Sequence, residues 1–498
     1  MLSHPSKIYR VFEIIPGLLV WTTFILGIVI SIVRPIWVLY FMTVFSLYWL
    51  FKVLYFIVYV LYSWREYRRA LCREWLCLVK RDFPEKWQNI YHLVVLPTAK
   101  EGFDVLDTTF AGLVDSTHPS QSMIVVLSGE ERGGRERFLA MAKELEKKYA
   151  GKFHKIISTV HPDGVVGEIK GKGANAHWAG HRSKEVIDQL GIPYDDIIVS
   201  YFDCDTVVHP QYFAHLTYTY LKHPHPTRVS YQPVVLYNNN IWDAPAITRV
   251  AAFGTVFWLM TELGRPERLF TFSSHSMSWR ALVDVNFWQK DIVTDDSRIF
   301  LQCFLRYSGD YGVVPLYIPV SMDTVMSDTY WGTMKNLYKQ QRRWAWGVEH
   351  IPFMLWNFFF VPNQIPLRKK LYLLFNQFEG MYTWATVPIL LFVLGYLPLL
   401  MIEVGDRTQI IVENGPRMVS DLMTLAMAGM FVSSIVSLFL LPERPVRYGR
   451  GRSLVMALQW LLLPVTLIFF GAFPAIESQT RLMLGKYLGF WVTEKTRK

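Results

Sequence analysis

Apolar and polar positions are segregated along this chain. A charge-free apolar run fills residues 14–33, about the ~20 residues a helix needs to cross a ~30 Å hydrocarbon core. Arg34-Pro35 breaks it, and a second run over 36–62 follows, interrupted only by Lys52. No small-residue cleavage site follows the first run, which predicts an anchor and not a signal peptide. Further apolar runs cover 381–402, 418–441 and 454–476, the last holding Pro464 and Pro474. Between the two membrane blocks the pattern changes. Short β-branched runs at 93–96, 123–127, 154–160, 196–202, 229–236 and 312–319 predict strands, and helical periodicity at 135–149 and 174–190 falls between them. This is the βαβ rhythm of an open, largely parallel sheet.

Composition agrees: 52% hydrophobic, 15% aromatic and only 18% charged residues, against ~25% charged in soluble domains. A wholly soluble, disordered or fibrous chain is excluded. The net charge of +10 sits beside the apolar runs, where it reads as a topogenic signal; no recognised motif points to nucleic acid as a partner. Arg65, Arg68, Arg69, Arg73, Lys80 and Arg81 follow the second run, Arg368-Lys369-Lys370 precede the third, and Arg444, Arg447, Arg450 and Arg452 lie in 442–453. The positive-inside rule puts these flanks and the middle domain in the cytosol of a multi-pass membrane protein, with the plasma (inner) membrane as the expected location. Parity would put the tail outside although it ends in basic residues, so the last run either crosses once or breaks and returns. Lys52 is expected at the membrane surface, snorkelling, rather than inside the bundle. Asn376, Gln377 and Glu379 either line a polar path or stay in the headgroup layer. Cys72, Cys77, Cys204 and Cys303 have neither zinc-site spacing nor disulfide density, and read as reduced thiols.

Ligands of parallel sheets bind beyond the carboxyl ends of the strands. There stand Asp203-Cys204-Asp205, carboxylates suited to Mg²⁺ or Mn²⁺ on a nucleotide diphosphate, or a plain turn or cap. Thr294-Asp295-Asp296 precedes a helical stretch. Capping is the favoured reading of that motif alone; a general base for a sugar hydroxyl is the alternative. Gln340, Arg343 and Trp344 share one helix face, offering an amide, a phosphate-binding guanidinium and an indole that stacks on sugars. The competing reading is an interfacial helix with Lys335, Lys339, Arg342 and Arg343 at the headgroups. Residues 348–360 are apolar but too short to span, and are expected at the interface.

In this order and between membrane helices, D-x-D, T-D-D and Q-x-x-R-W make the chain resemble the processive membrane-integrated family 2 glycosyltransferases, the cellulose, hyaluronan and chitin synthases, over roughly 94–345. The resemblance implies an α/β GT-A-type (Rossmann-like) cytosolic domain combined with an α-helical transmembrane domain. It divides the chain into a transmembrane hairpin (1–63), the transferase domain (64–330), interface helices with Q-x-x-R-W (331–370) and C-terminal membrane helices with a short basic tail (371–498). It implies an inverting enzyme that elongates a polysaccharide from a UDP-sugar, with translocation of the product as a coupled step. Asp205 would hold the metal, Mg²⁺ or Mn²⁺, with Asp203 as its nucleotide-side companion. Asp296 would be the base beside Thr294 and Asp295. Arg343 would bind the departing diphosphate, and Trp344, with Gln340 on the same face, the acceptor sugar. Lys172, within Gly171-Lys172-Gly173-Ala174-Asn175-Ala176, resembles a diphosphate-side lysine, and Glu101 a uridine contact. The ending Trp491-Val492-Thr493-Glu494-Lys495 resembles a family ending and favours a cytosolic tail.

There are departures. Ser128-Gly129-Glu130-Glu131-Arg132 replaces an Asp-rich base-contacting turn, with Glu130 as the substitute. Ser273 to Arg280 lacks the usual glycine, and His275 there either contacts the acceptor or packs, packing being preferred. Trp331-Gly332-Thr333 precedes Q-x-x-R-W and is not read as a gating motif. The partners implied are the nucleotide-sugar, a growing glycan or lipid acceptor, and the bilayer. Transfer of one sugar to a glycolipid or polyprenol phosphate is the rival enzyme. A non-catalytic receptor or channel subunit is disfavoured by the acidic set.

Overall fold

The computed structural model describes residues 7–402, 410–449 and 451–489. Proline lacks an amide hydrogen and fits a helix's first turn, and Pro35 opens a helix directly after another has ended: Lys7–Val33 is followed by Pro35–Leu71. The second helix runs on past the apolar stretch, and its Val60, Tyr67 and Ala70 are packed into the core of the middle domain. The N-terminal pair of apolar helices and the α/β domain therefore share one continuous helix.

The sheet has eight strands: β1 (Tyr91–Pro97), β2 (Met123–Glu130), β3 (Lys155–His161), β4 (Ile197–Tyr201), β5 (Val207–Val208), β6 (Val229–Leu236), β7 (His275–Ser278) and β8 (Gly312–Ser321), in the order β3-β2-β1-β4-β7-β6-β8-β5. β3, β2, β1 and β4 are parallel neighbours, β7 runs antiparallel to β4 and β6, and β6 pairs parallel with β8. Every residue of β2 and β4 is buried, as strands covered by helices on both faces require. The result is a GT-A-like mixed α/β domain. All six predicted strands form, as do the predicted helices, observed as Arg135–Lys148 and Lys172–Leu190. β5 and β7 were not predicted. β7 is His-Ser-Met-Ser, and its pairing rests on partners far along the chain, with Ser276 Oγ 2.7 Å from Ser200 Oγ.

Among the described residues, five helical segments are long and apolar enough to cross a membrane by length and composition: Lys7–Val33, Pro35–Leu71, Ala246–Leu263, Leu367–Met401 and Leu454–Met483. Three expectations need correction. The run at 418–441 is two helices, Ile410–Ala426 and Ala428–Phe439, broken at Met427. Ala246–Leu263 was not foreseen; 61% of its apolar window is buried inside the protein. Lys52 does not stand alone at the surface, because its ammonium forms an ion pair with Glu379 on the Leu367–Leu394 helix. That pairing also places Glu379 against protein, and Gln377 Nε2 donates to the Gly347 carbonyl at 3.0 Å. The last run is interrupted by a 3-10 stretch over Gln459–Leu462, just ahead of Pro464, and by a π-turn over Ile468–Ala472. Its start packs through Met456 and Trp460 on Phe253, and near its end the Leu482 carbonyl accepts from Arg10 at 2.8 Å. Trp491 to Lys495 and Arg450 lie outside the described residues.

Candidate active site

Lys172 begins the Lys172–Leu190 helix. Its neighbour Gly173 lies so close to the Thr294-Asp295-Asp296 loop that a Cβ there would stand 2.9 Å from the Gln289 carbonyl oxygen and 3.0 Å from Asp295 Cβ. Only glycine fits without displacing the loop. The approach brings the Lys172 ammonium 2.7 Å from Asp203 Oδ1 and 3.1 Å from Asp296 Oδ1, with the Tyr201 ring centre 4.0 Å away. One cation thus joins the two acidic motifs. Burial works against its charge, but the Asp203, Asp296 and Asp295 carboxylates outweigh it and hold the ammonium's pKa above its ordinary value.

Asp203 also accepts from Ser273 Oγ at 2.8 Å. Beside it Ser274 sits at φ 63, the left-handed region where the missing glycine would be at ease. Asp205 is buried, its Oδ2 accepting from the Asp323 amide at 2.9 Å and its carbonyl from Asn239 Nδ2 at 3.1 Å. Asp295 and Asp296 open the Asp295–Arg306 helix, where the macrodipole favours negative charge. Thr294 does not cap that helix with its side chain, which corrects the favoured reading: Glu349 Oε1 takes its hydroxyl at 2.7 Å. Asp295 accepts the Tyr201 hydroxyl at 2.5 Å. Burial, then the Asp296 charge, push the Asp295 carboxyl up to about 7, with Lys172 and Arg343 opposing. Asp295 is 2% exposed, whereas the Asp296 side chain retains 24%, so Asp296 is the more accessible carboxylate of the pair.

His275 is fully buried with Nδ1 2.8 Å from the Phe272 carbonyl oxygen, and burial lowers its pKa to about 4. Its ring is neutral and packed. Glu101 folds back on its own loop, where Oε2 accepts from the amides of Ala99 at 2.8 Å and Lys100 at 2.9 Å. Glu130 ends β2, pairs with Arg132, and lines a cleft with His161, Glu168, Lys170 and Gly171. Gln340, Arg343 and Trp344 lie in the Tyr330–Ala345 helix, with Gln340 buried and the Trp344 ring 5.8 Å from Tyr237. Arg342 is not turned to headgroups; it pairs with Glu477 of the last helix at 2.6 Å.

The structure therefore gathers Lys172, Asp203, Asp295 and Asp296 around one point, with Arg343 near enough to act on Asp295. Sequence reasoning missed Tyr201, Asp323 and Glu349, and placed Ser273 in the acceptor segment without its bond to Asp203. Only Tyr201, a polar aromatic closing a buried strand two residues before Asp203, left a local signal. Asp203 and Asp205 supply the hard oxygen donors that suit Mg²⁺ or Mn²⁺. Among the described residues no group of three or more His, Cys, Asp or Glu is placed to hold an ion. The two carboxylates have the oxygen-donor chemistry that a divalent cation takes.

A family model described as Glycosyl transferase family group 2 matches residues 198–473, more than half of the chain. No curated protein matches. Similar solved structures include the mannosyltransferase PcManGT from Pyrobaculum calidifontis in complex with GDP-Man and Mn²⁺, at 12% identity and a TM-score of 0.43, covering 90% of this chain and 100% of that one. Another is S. aureus TarS 1-349 in complex with UDP-GlcNAc, at 10% identity and a TM-score of 0.35, covering 80% of this chain and 93% of that one.

Proposed function

The chain belongs to glycosyl transferase family group 2, and from that premise we propose that it elongates a polysaccharide from a UDP-sugar, with inversion, using Asp296 as general base. It is a membrane-associated, nucleotide-sugar-dependent transferase. The observation that carries the finer reading is the Lys172 ammonium shared by Asp203 and Asp296. A cation in that position is available to a donor diphosphate, and its transfer to phosphate leaves Asp296 free to accept a proton.

In the transfer step Asp296 takes the proton of an acceptor hydroxyl as the oxygen attacks the anomeric carbon. The bond to the diphosphate breaks, and its electron pair leaves with the nucleotide. Lys172 and Arg343 stabilise the charge that develops there. Asp205, with Asp203, would hold a Mg²⁺ or Mn²⁺, which when bound supplies Lewis-acid stabilisation of the same charge. Glu101 and Glu130 border the nucleoside side, Trp344 and Gln340 the acceptor side. Asp295 and Thr294 shape the turn that presents Asp296, and His275 fills the floor. The domain limits near residues 63, 330 and 370, and a cytosolic transferase domain at the plasma (inner) membrane, are part of the same proposal.

A second reading, one sugar passed to a membrane lipid, is favoured by Trp258. This residue of the Ala246–Leu263 helix is 45% exposed and packs edge-on at 4.9 Å against Phe272, next to the serine that binds Asp203. That is an apolar approach to the site. The test is nucleoside diphosphate release from detergent-purified protein given UDP-glucose, UDP-N-acetylglucosamine or GDP-mannose with Mn²⁺, followed by sizing of labelled product. A polymer supports the first reading, a single glycolipid the second, and no turnover of any donor contradicts both.

A further inference from the structure

A half-buried polar network joins the loop that carries Asp296 to the segment just beyond Trp344. Thr294 Oγ1 donates to Glu349 Oε1 at 2.7 Å, and Trp346 Nε1 donates to the other carboxylate oxygen at 2.9 Å. Beside this pair stands His350, 1% exposed. Its Nδ1 accepts from Arg298 Nε at 3.2 Å, and its Nε2 lies 2.8 Å from Ser297 Oγ. Arginine is always a donor, so the ring is the neutral tautomer with hydrogen on Nε2, aimed at Ser297. Arg298 donates further to Gln289 Oε1 at 3.0 Å, and its guanidinium lies 3.7 Å from the Phe353 ring centre. Val293, Trp346, Val348 and Ile351 close an apolar cluster around the network.

An enclosed carboxylate is costly unless it is hydrogen-bonded. Here the Thr294 side chain and backbone, immediately before Asp295 and Asp296, both act on that carboxylate. Thr294, Ser297 and Arg298 all belong to the first turn of the helix that presents Asp296, or to the residue ahead of it, and all are held by Glu349 or His350. Glu349 also faces the buried Arg298 guanidinium and offsets its charge.

We propose that Glu349 is a positioning residue for the transfer step: acting through Thr294, it fixes the turn that carries Asp296 and so the direction from which the base meets the acceptor hydroxyl. The proposal rests on Asp296 being that base. A displacement of about 1 Å at a reacting group costs on the order of 10²-fold in rate, while the donor, held by Lys172 and Asp203, should bind as before.

The experiment compares Thr294→Val, Thr294→Ser, Glu349→Ala and the Thr294→Val/Glu349→Ala double variant of the full chain in detergent. The probe is whichever of UDP-glucose, UDP-N-acetylglucosamine and GDP-mannose the unaltered protein turns over. Thr294→Ser should keep kcat. Thr294→Val and Glu349→Ala should each lower kcat by ~10–100-fold with donor KM within about twofold, and the double variant should be no worse than the worse single one. Wild-type kcat in Thr294→Val, a loss confined to donor KM, or additive losses would overturn the proposal. If Glu349→Ala does not fold, the Val and Ser variants of Thr294 decide alone. Amide hydrogen exchange gives a readout without substrate: the peptide over 291–300 should exchange faster in Thr294→Val than in Thr294→Ser, and equal exchange overturns the proposal. Full activity in Asp296→Asn would instead remove the base assignment while leaving the exchange result intact.

Discussion

An ammonium held between two carboxylates, as Lys172 is between Asp203 and Asp296, is a cation waiting for a stronger anion. Lys172→Met should therefore raise donor KM by ~10–100-fold, the worth of one charge-assisted bond of ~1.5–3 kcal/mol, as read from initial rates of nucleoside diphosphate release. Asp295 carries the opposite problem. Burial and Asp296 push its carboxyl up to about 7, so the folded protein holds a proton that the unfolded chain releases near the ordinary carboxylate value. Its contribution to stability is full below that value and is lost as pH rises towards about 7. Asp295→Asn should leave the thermal midpoint of the ligand-free protein unchanged near pH 4 and raise it at pH 8; a gap that narrows with rising pH would contradict this. The acidic residues themselves were legible because each motif is local in sequence. Tyr201, Glu349 and the Ser273–Asp203 bond were not, since each joins partners more than fifty positions apart.

Whole elements were legible where burial on both faces forces a continuous apolar run, as in β2 and β4. They were illegible where long-range pairing makes the structure, as in serine-rich β7. The Ala246–Leu263 helix escaped notice because Arg249 and Glu262 sit near its ends; the fold buries both, with Arg249 donating to Gln459 Oε1 at 2.6 Å. Contact between the Lys172–Leu190 helix and the acidic turn depends on Gly173. Gly173→Ala should push the Asp295 loop away and lower kcat by at least ~10-fold, since the added Cβ meets backbone and cannot be accommodated by a side-chain rotation. Wild-type kcat in that variant would show that the loop yields without consequence.

At the scale of the molecule, membrane-length helices and a GT-A-like domain are joined by the unbroken Pro35–Leu71 helix and by contacts such as Lys52 with Glu379. Hydropathy gave the runs, but not the break at Met427 nor this pairing, because a lone lysine in an apolar stretch does not reveal its partner. Removing one member of a buried pair leaves an uncompensated charge, worth ~3–5 kcal/mol. Glu379→Met should accordingly lower the thermal midpoint more than the Lys52→Met/Glu379→Met double variant does. The account as a whole turns on Asp296, and the most direct measurement sets Asp296→Asn against the unaltered full chain for donor binding and for transfer under one set of conditions. Donor affinity within about threefold, with transfer reduced ~10²–10⁴-fold, is the predicted result for loss of a general base; undiminished transfer would contradict it.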